Sequence, residues 1–344
     1  MNECRYRITL TWLALGAFAG SAGSAGAQES HDCVNDAPNP YRLVSDWSVT
    51  PRHWAHPLAL TVDAGDNLWV FDRCEEAGCA ASTAAPIFRL TPAGRTTVNV
   101  GAGLFIYPHS IAADRDGNIW VADGDVKEGR GNQVFKLKPD GTVLMRLGKA
   151  GQGKGSRALD TFDRPTGIAI ASNGDIFVAE GHGPTFGNSR IMKFSGDGTF
   201  IRTFGSLGSG DGQLKEPHAI ALDSRDRVFV ADRRNSRVVV FDKDGRFIAA
   251  WKQFGVPSGV AIRNDILYVT DSESSDDRSK PAYNGCKGGI RIGSVRDGKV
   301  TAYIPPPPVA DPNLPPAEGI AVDSSGVIYA AANQQNDVKK FVRR

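Results

Sequence analysis

Residues 217–233 read PHAIALDSRDRVFVADR, and residues 236–251 continue SRVVVFDKDGRFIAAW. An apolar run ends at Asp223, a polar turn follows, and a second run rich in aromatic and β-branched residues ends at Asp232. Such runs are strand formers, and they are too short and too rich in Val and Phe for helices. Asp244-Gly245 then joins two further runs as a tight hairpin turn, because glycine takes the positive φ that such turns need. Four short antiparallel strands within about 40 residues make one small sheet.

The same phrase recurs along the chain. It reads PLALTVDAGDNLWVFDR at 57–73, PHSIAADRDGNIWVADG at 108–124 and PTGIAIASNGDIFVAEG at 165–181. It returns as PSGVAIRNDILYVTDS at 257–272 and PAEGIAVDSSGVIYAAAN at 316–333. Successive phrase-opening prolines are 51, 57, 52, 40 and 59 residues apart. A four-stranded unit repeated at this spacing is the mark of propeller blades, each of which needs its neighbours to bury its faces. The chain is therefore expected to be all-β, a six-bladed β-propeller over residues 41–344. The sixth copy runs out after three strands, so YRLVSDWSV at 41–49 is expected to supply its outermost strand and close the ring.

Composition agrees. Glycine is 39 of 344 residues, about 11% against an average near 7%, and there are 20 prolines. Turns are frequent and helices few, which excludes a coiled coil, a helical bundle and a membrane transporter. Forty Lys and Arg face 38 Asp and Glu, so the basic excess of a nucleic-acid binder is missing.

The first residues carry Arg5 and Arg7, an apolar run from Ile8 to Ala19, and Ala25-Gly26-Ala27. That is the pattern of a secretory leader over residues 1–27, with a tail at 28–40 before the propeller. Loss of Arg5, Arg7 and Glu3 would turn the count of 40 basic and 38 acidic residues into 38 and 37. The expected location is periplasmic or secreted, with no membrane insertion after cleavage. An oxidising compartment makes Cys33, Cys74, Cys79 and Cys286 disulfide candidates. Four cysteines allow three pairings; the favoured one joins Cys74 to Cys79 as a loop staple and Cys33 to Cys286 across the chain.

The aspartates that recur at one repeat position, Asp63, Asp114, Asp223 and Asp323, are read as turn formers. The departures from the repeat are more informative. Just after the opening proline, where a propeller's inner strand faces the central channel, copies two and four carry His109 and His218. The others carry Leu58, Thr166, Ser258 and Ala317. Two histidines at equivalent positions of different blades can share a metal. At the far end of the second strand stand Arg73 and Arg233, a pair suited to a carboxylate or phosphate. His182 lies close by, in the inserted loop GHGPTFG at 181–187.

The stretches NSRIMKFS at 188–195 and NSRVVVF at 235–241 resemble NHL repeats. More narrowly, PHSIAAD at 108–114, PTGIAI at 165–170, and PHAIALD with VADRRNSRV at 217–238 resemble the lyase domain of peptide-amidating enzymes, densest over 105–245. The resemblance implies a zinc-dependent six-bladed propeller that cleaves peptidyl-α-hydroxyglycine to a peptide amide and glyoxylate. His109 and His218 match two of the family's three zinc-ligand histidines, and Arg73 and Arg233 match its two active-site arginines. The third ligand's place is held by Glu318. The place of the family's active-site tyrosine is held by His182, and that of an acidic calcium ligand by Gly319.

On that basis the expected metal set is His109, His218 and Glu318, with zinc as the ion and calcium as a second one. His182 is the expected base, and Arg73 and Arg233 hold the carboxylate of a small-molecule or peptide substrate. Two other readings fit the same architecture: a non-catalytic NHL propeller binding a peptide, glycan or protein, and a calcium-dependent propeller lactonase or hydrolase.

Overall fold

The computed structural model describes residues 32–344 except 76, 154, 156, 184, 186, 282 and 309–314. The leader expected at 1–27 lies outside the described residues.

Six four-stranded antiparallel sheets follow one another along the chain. Blade 1 comprises Pro57–Val62, Leu68–Asp72, Ile87–Leu90 and Thr96–Val100. Blade 2 begins with Pro108–Ala113 and Ile119–Lys127, and blade 3 with Pro165–Ile170 and Ile176–Glu180. Blades 4 and 5 open with Pro217–Leu222 and Pro257–Arg263. Blade 6 combines Gly319–Val322, Ile328–Ala332 and Asp337–Arg343 with Tyr41–Val44 as its outermost strand. Tyr41 pairs with Arg343 and Val44 with Lys340, so the N-terminal strand closes the ring as expected. Among the described residues the helical content is two single 3₁₀ turns, Arg233–Asn235 and Asn333–Gln335, and no helix is long and apolar enough to cross a membrane.

Second strands such as LWVFD and IFVAE are buried throughout because both faces of each blade are covered. Apolar clusters fill every interface between neighbouring blades. At the closing interface Leu60, Val70 and Phe88 of blade 1 pack on Ala321, Tyr329 and Val338 of blade 6. The fourth strands of blades 1 and 2, Thr96–Val100 and Val143–Leu147, alternate in exposure.

The repeating aspartates behave as turn formers. Asp63 accepts the amides of Gly65 and Asn67, and Asp114, Asp223 and Asp323 do the same in their own turns. Both disulfides of the favoured pairing are present, Cys33–Cys286 and Cys74–Cys79, which fits an oxidising compartment. The segment after Cys33 lies along blade 5, where Val34 and Asn35 accept hydrogen bonds from the Arg291 guanidinium.

Candidate metal and active site

Each of the first five inner strands slips register beside its opening proline: Pro57/Ala59, Pro108/Ser110, Pro165/Gly167, Pro217/Ile220 and Pro257/Gly259. A bulge of this kind leaves a residue out of the ladder and turns its side chain. Here it presents Leu58, His109, Thr166, His218 and Ser258 to the axial channel. In blade 6 Gly319 pairs with Ala331 just as Gly259 pairs with Thr270. The sixth ring position is therefore Glu318, not Ala317 as alignment on Pro316 suggested; the last phrase carries one extra residue after its proline. Blades 2, 4 and 6 thus present His, His and Glu, and blades 1, 3 and 5 present Leu, Thr and Ser.

The next inner-strand position is small in every blade because the strands crowd the axis. A Cβ on Gly319 would stand 2.0 Å from the Leu58 carbonyl oxygen, and one on Gly259 would stand 2.4 Å from that of Glu318. Position 319 therefore has no room for an acidic calcium ligand without moving backbone, and the calcium expected there does not fit.

The two ring histidines are anchored alike. His109 Nδ1 lies 2.9 Å from the Thr166 carbonyl and His218 Nδ1 lies 2.8 Å from that of Ser258. A carbonyl only accepts, so each Nδ1 carries the proton and each Nε2 keeps its lone pair. Both Nε2 atoms are buried and make no hydrogen bond, which is costly unless something else occupies them. His182, reaching in from its loop, completes a cluster. The ring centroids are 4.8 Å apart for His109–His218, 5.0 Å for His109–His182 and 5.4 Å for His182–His218. One ring nitrogen from each of the three lies within 4.8 Å of the others. Burial, then the neighbouring His218, pushes both His109 and His182 well below the usual histidine range, so they stand neutral and able to donate lone pairs.

Glu318 is drawn elsewhere. Its Oε1 lies 2.6 Å from Arg233 Nη2, and its Oε2 accepts from the Asn333 amide. The same Oε1 is 3.1 Å from His218 Nε2, off the line of a hydrogen bond. Burial alone would raise its pKa, but Arg233 and then His218 hold the carboxyl well below its usual range. The metal set expected from sequence was His109, His218 and Glu318; the set of ring nitrogens the fold gathers is His109, His182 and His218.

The two arginines also part company. Arg233 is buried among carboxylates, with Glu273 at 3.4 Å and Glu216 at 3.9 Å besides Glu318. Arg73 lies over the Tyr107 ring, its Cζ 3.9 Å from the ring centroid, and its charge is felt by His109, His182 and Glu318. Tyr107 and Glu216, each just before its blade's opening proline, were not singled out in the sequence. Their shared place in the repeat was the available signal.

The NHL repeat family model matches residues 214–241. The chain is 31% identical over 302 residues to peptidyl-glycine alpha-amidating monooxygenase B of Xenopus laevis, covering 80% of this chain and 32% of that protein. NHL repeat-containing protein 3 of Homo sapiens is 31% identical over 244 residues, covering 68% of this chain and 66% of its own length. Peptidyl-alpha-hydroxyglycine alpha-amidating lyase 2 of Drosophila melanogaster is 30% identical over 234 residues, covering 62% of this chain and 54% of that one. The chain thus spans about a third of the length of the Xenopus protein and about half of the Drosophila one. It is an NHL-repeat six-bladed propeller that resembles the amidating lyases.

Proposed function

We propose that this chain is an exported, metal-dependent carbon–nitrogen lyase that cleaves a peptidyl- or N-acyl-α-hydroxyglycine into an amide and glyoxylate. The observation that carries the reading is the pair of buried Nε2 lone pairs on His109 and His218, fixed by backbone carbonyls and joined by His182. Three imidazoles around one point are a zinc donor set that leaves a position open for substrate. A bound zinc would supply Lewis acidity toward the substrate hydroxyl.

The remaining work falls to this chain's own side chains. Arg73, held over the Tyr107 ring beside the cluster, binds the substrate carboxylate. Glu318, kept ionised by Arg233 and Asn333, accepts the hydroxyl proton as the carbonyl of glyoxylate forms. The same proton returns to the nitrogen as the C–N bond breaks, so charge and atoms balance. Arg233 acts through Glu318 rather than on the substrate, and His182 serves as a ligand rather than the base first expected. The calcium-dependent hydrolase reading loses ground because the six ring positions hold a single carboxylate, Glu318.

The test is glyoxylate release from a small N-acyl-α-hydroxyglycine. Zinc-loaded protein is expected to yield glyoxylate and amide in equal amounts, to stop with a chelator and to resume on adding zinc. Metal-loaded protein that leaves the substrate intact would sink the proposal and favour a binding propeller.

A further inference from the structure

His109 and His218 sit on strands and lean on backbone carbonyls, whereas His182 sits on a loop and needs another support. The acceptor beside it is a carboxylate: His182 Nε2 lies 3.4 Å from Glu216 Oε1. Glu216 is only 2% exposed and is held from its other side by Arg234, Nε to Oε2 at 2.5 Å. Its backbone is fixed as well, since the Glu216 carbonyl accepts the Arg233 amide at 3.3 Å. With Nε2 turned toward Glu216 at this ion-pair distance, Nδ1 would be the ring nitrogen left for the histidine cluster.

We propose that Glu216 is the positioning residue of His182, the carboxylate half of a carboxylate–histidine–metal relay that fixes this imidazole's tautomer and orientation. The inference rests on the reading of His109, His182 and His218 as a metal site. Accepting the Nε2 proton, Glu216 places the lone pair on Nδ1 and raises its basicity, as outer partners of metal-bound histidines do. The two strand histidines, oriented by neutral carbonyls, require no such charge.

The test uses the whole mature protein and zinc or cobalt as the probe, with affinity read by competition against a chromophoric chelator. Glu216→Gln is expected to weaken metal binding by about 10-fold, toward the low end for lost outer partners, and to change the visible spectrum of the cobalt-loaded protein. Arg234→Met removes the ion pair on the second oxygen of Glu216 while leaving the His182 contact, and is expected to bind metal like the unaltered chain. If Glu216→Gln fails to fold, Glu216→Asp, which withdraws the carboxylate without removing its charge, must show the weakening instead. Unchanged affinity and spectrum in the Glu216 variant would overturn the relay, and so would equal weakening by Arg234→Met. If the unaltered chain binds no metal, or binds it equally after His218→Ala, the metal site itself falls and the relay falls with it.

Discussion

His109 and His218 take their chemistry from one hydrogen bond each: a carbonyl fixes the proton on Nδ1, and Nε2 is buried without a hydrogen-bond partner. Replacing His218 by Ala removes one of three donors and is expected to abolish stoichiometric zinc, read by elemental analysis of purified protein. Full zinc occupancy in that variant would refute the site. Glu318→Gln is a sharper probe, because Arg233 keeps Glu216 and Glu273 nearby and the fold should hold. Loss of a proton-transfer group typically costs about 10²–10⁴-fold in rate. The expectation is a fall of that size in kcat for glyoxylate release with zinc content unchanged; a fall in zinc content instead would make Glu318 a ligand. The ring histidines were legible in the sequence because the repeat fixes where its post-proline residue points. His182 was not legible as a cluster member, because its loop at 181–187 has no counterpart in other blades and no repeat fixes its reach.

At the scale of the blade, the acid paired with the opening proline in blades 1 to 5 ties down the loop that leads into the inner strand. Asp72 accepts the amides of Ala55 and His56, Asp232 that of Lys215, and Glu180 that of Asp163. Most of these acids also have an arginine: Asp72 has Arg52, Glu180 has Arg190, Asp232 has Arg237 and Asp271 has Arg291. Blade 2 differs. Asp123 accepts the amides of Ile106 and Tyr107, but the strand partner opposite it is Gln133, whose amide donates to Gly148 instead. Burial therefore outweighs the amide bonds and pushes Asp123 up to about 7. Its unfolded value is about 3.9, so the folded state holds a proton that the unfolded chain has released. This contribution to stability is complete below about pH 4 and is lost as pH rises through 7. Gln133→Arg restores the missing partner. Urea midpoints measured from pH 5 to 8 should show the variant gaining on the unaltered chain as pH rises, and a difference constant with pH would refute the account. The acids were readable as structural because they recur, while the blade lacking its arginine shows only once the strands are in register.

Across the whole molecule, closure is shared by two devices of different kinds. Tyr41–Val44 completes blade 6, and Cys33–Cys286 locks the segment just before it onto blade 5 across 253 residues. The repeats made the blades and the closing strand legible, since both follow from periodicity and from a last copy one strand short. The run along blade 5 was not, because an aperiodic stretch finds its partners only in three dimensions, where Arg291 reaches Val34 and Asn35. The second disulfide, Cys74–Cys79, closes a loop of sequence separation 5 immediately after Arg73. Loop-closure entropy grows with loop size, so the two bonds are expected to fail in different ways. Replacing Cys33 and Cys286 with Ser should cost about 2–5 kcal/mol and lower Tm while sparing turnover in the surviving folded protein. Replacing Cys74 and Cys79 should cost less stability yet raise KM, because the turn that fixes Arg73 over Tyr107 loosens. Paired thermal melts and steady-state kinetics separate the two. A Cys74/Cys79 variant with unaltered KM would remove Arg73 from substrate binding, and a Cys33/Cys286 variant with unaltered Tm would show that the closing strand holds the ring without the disulfide.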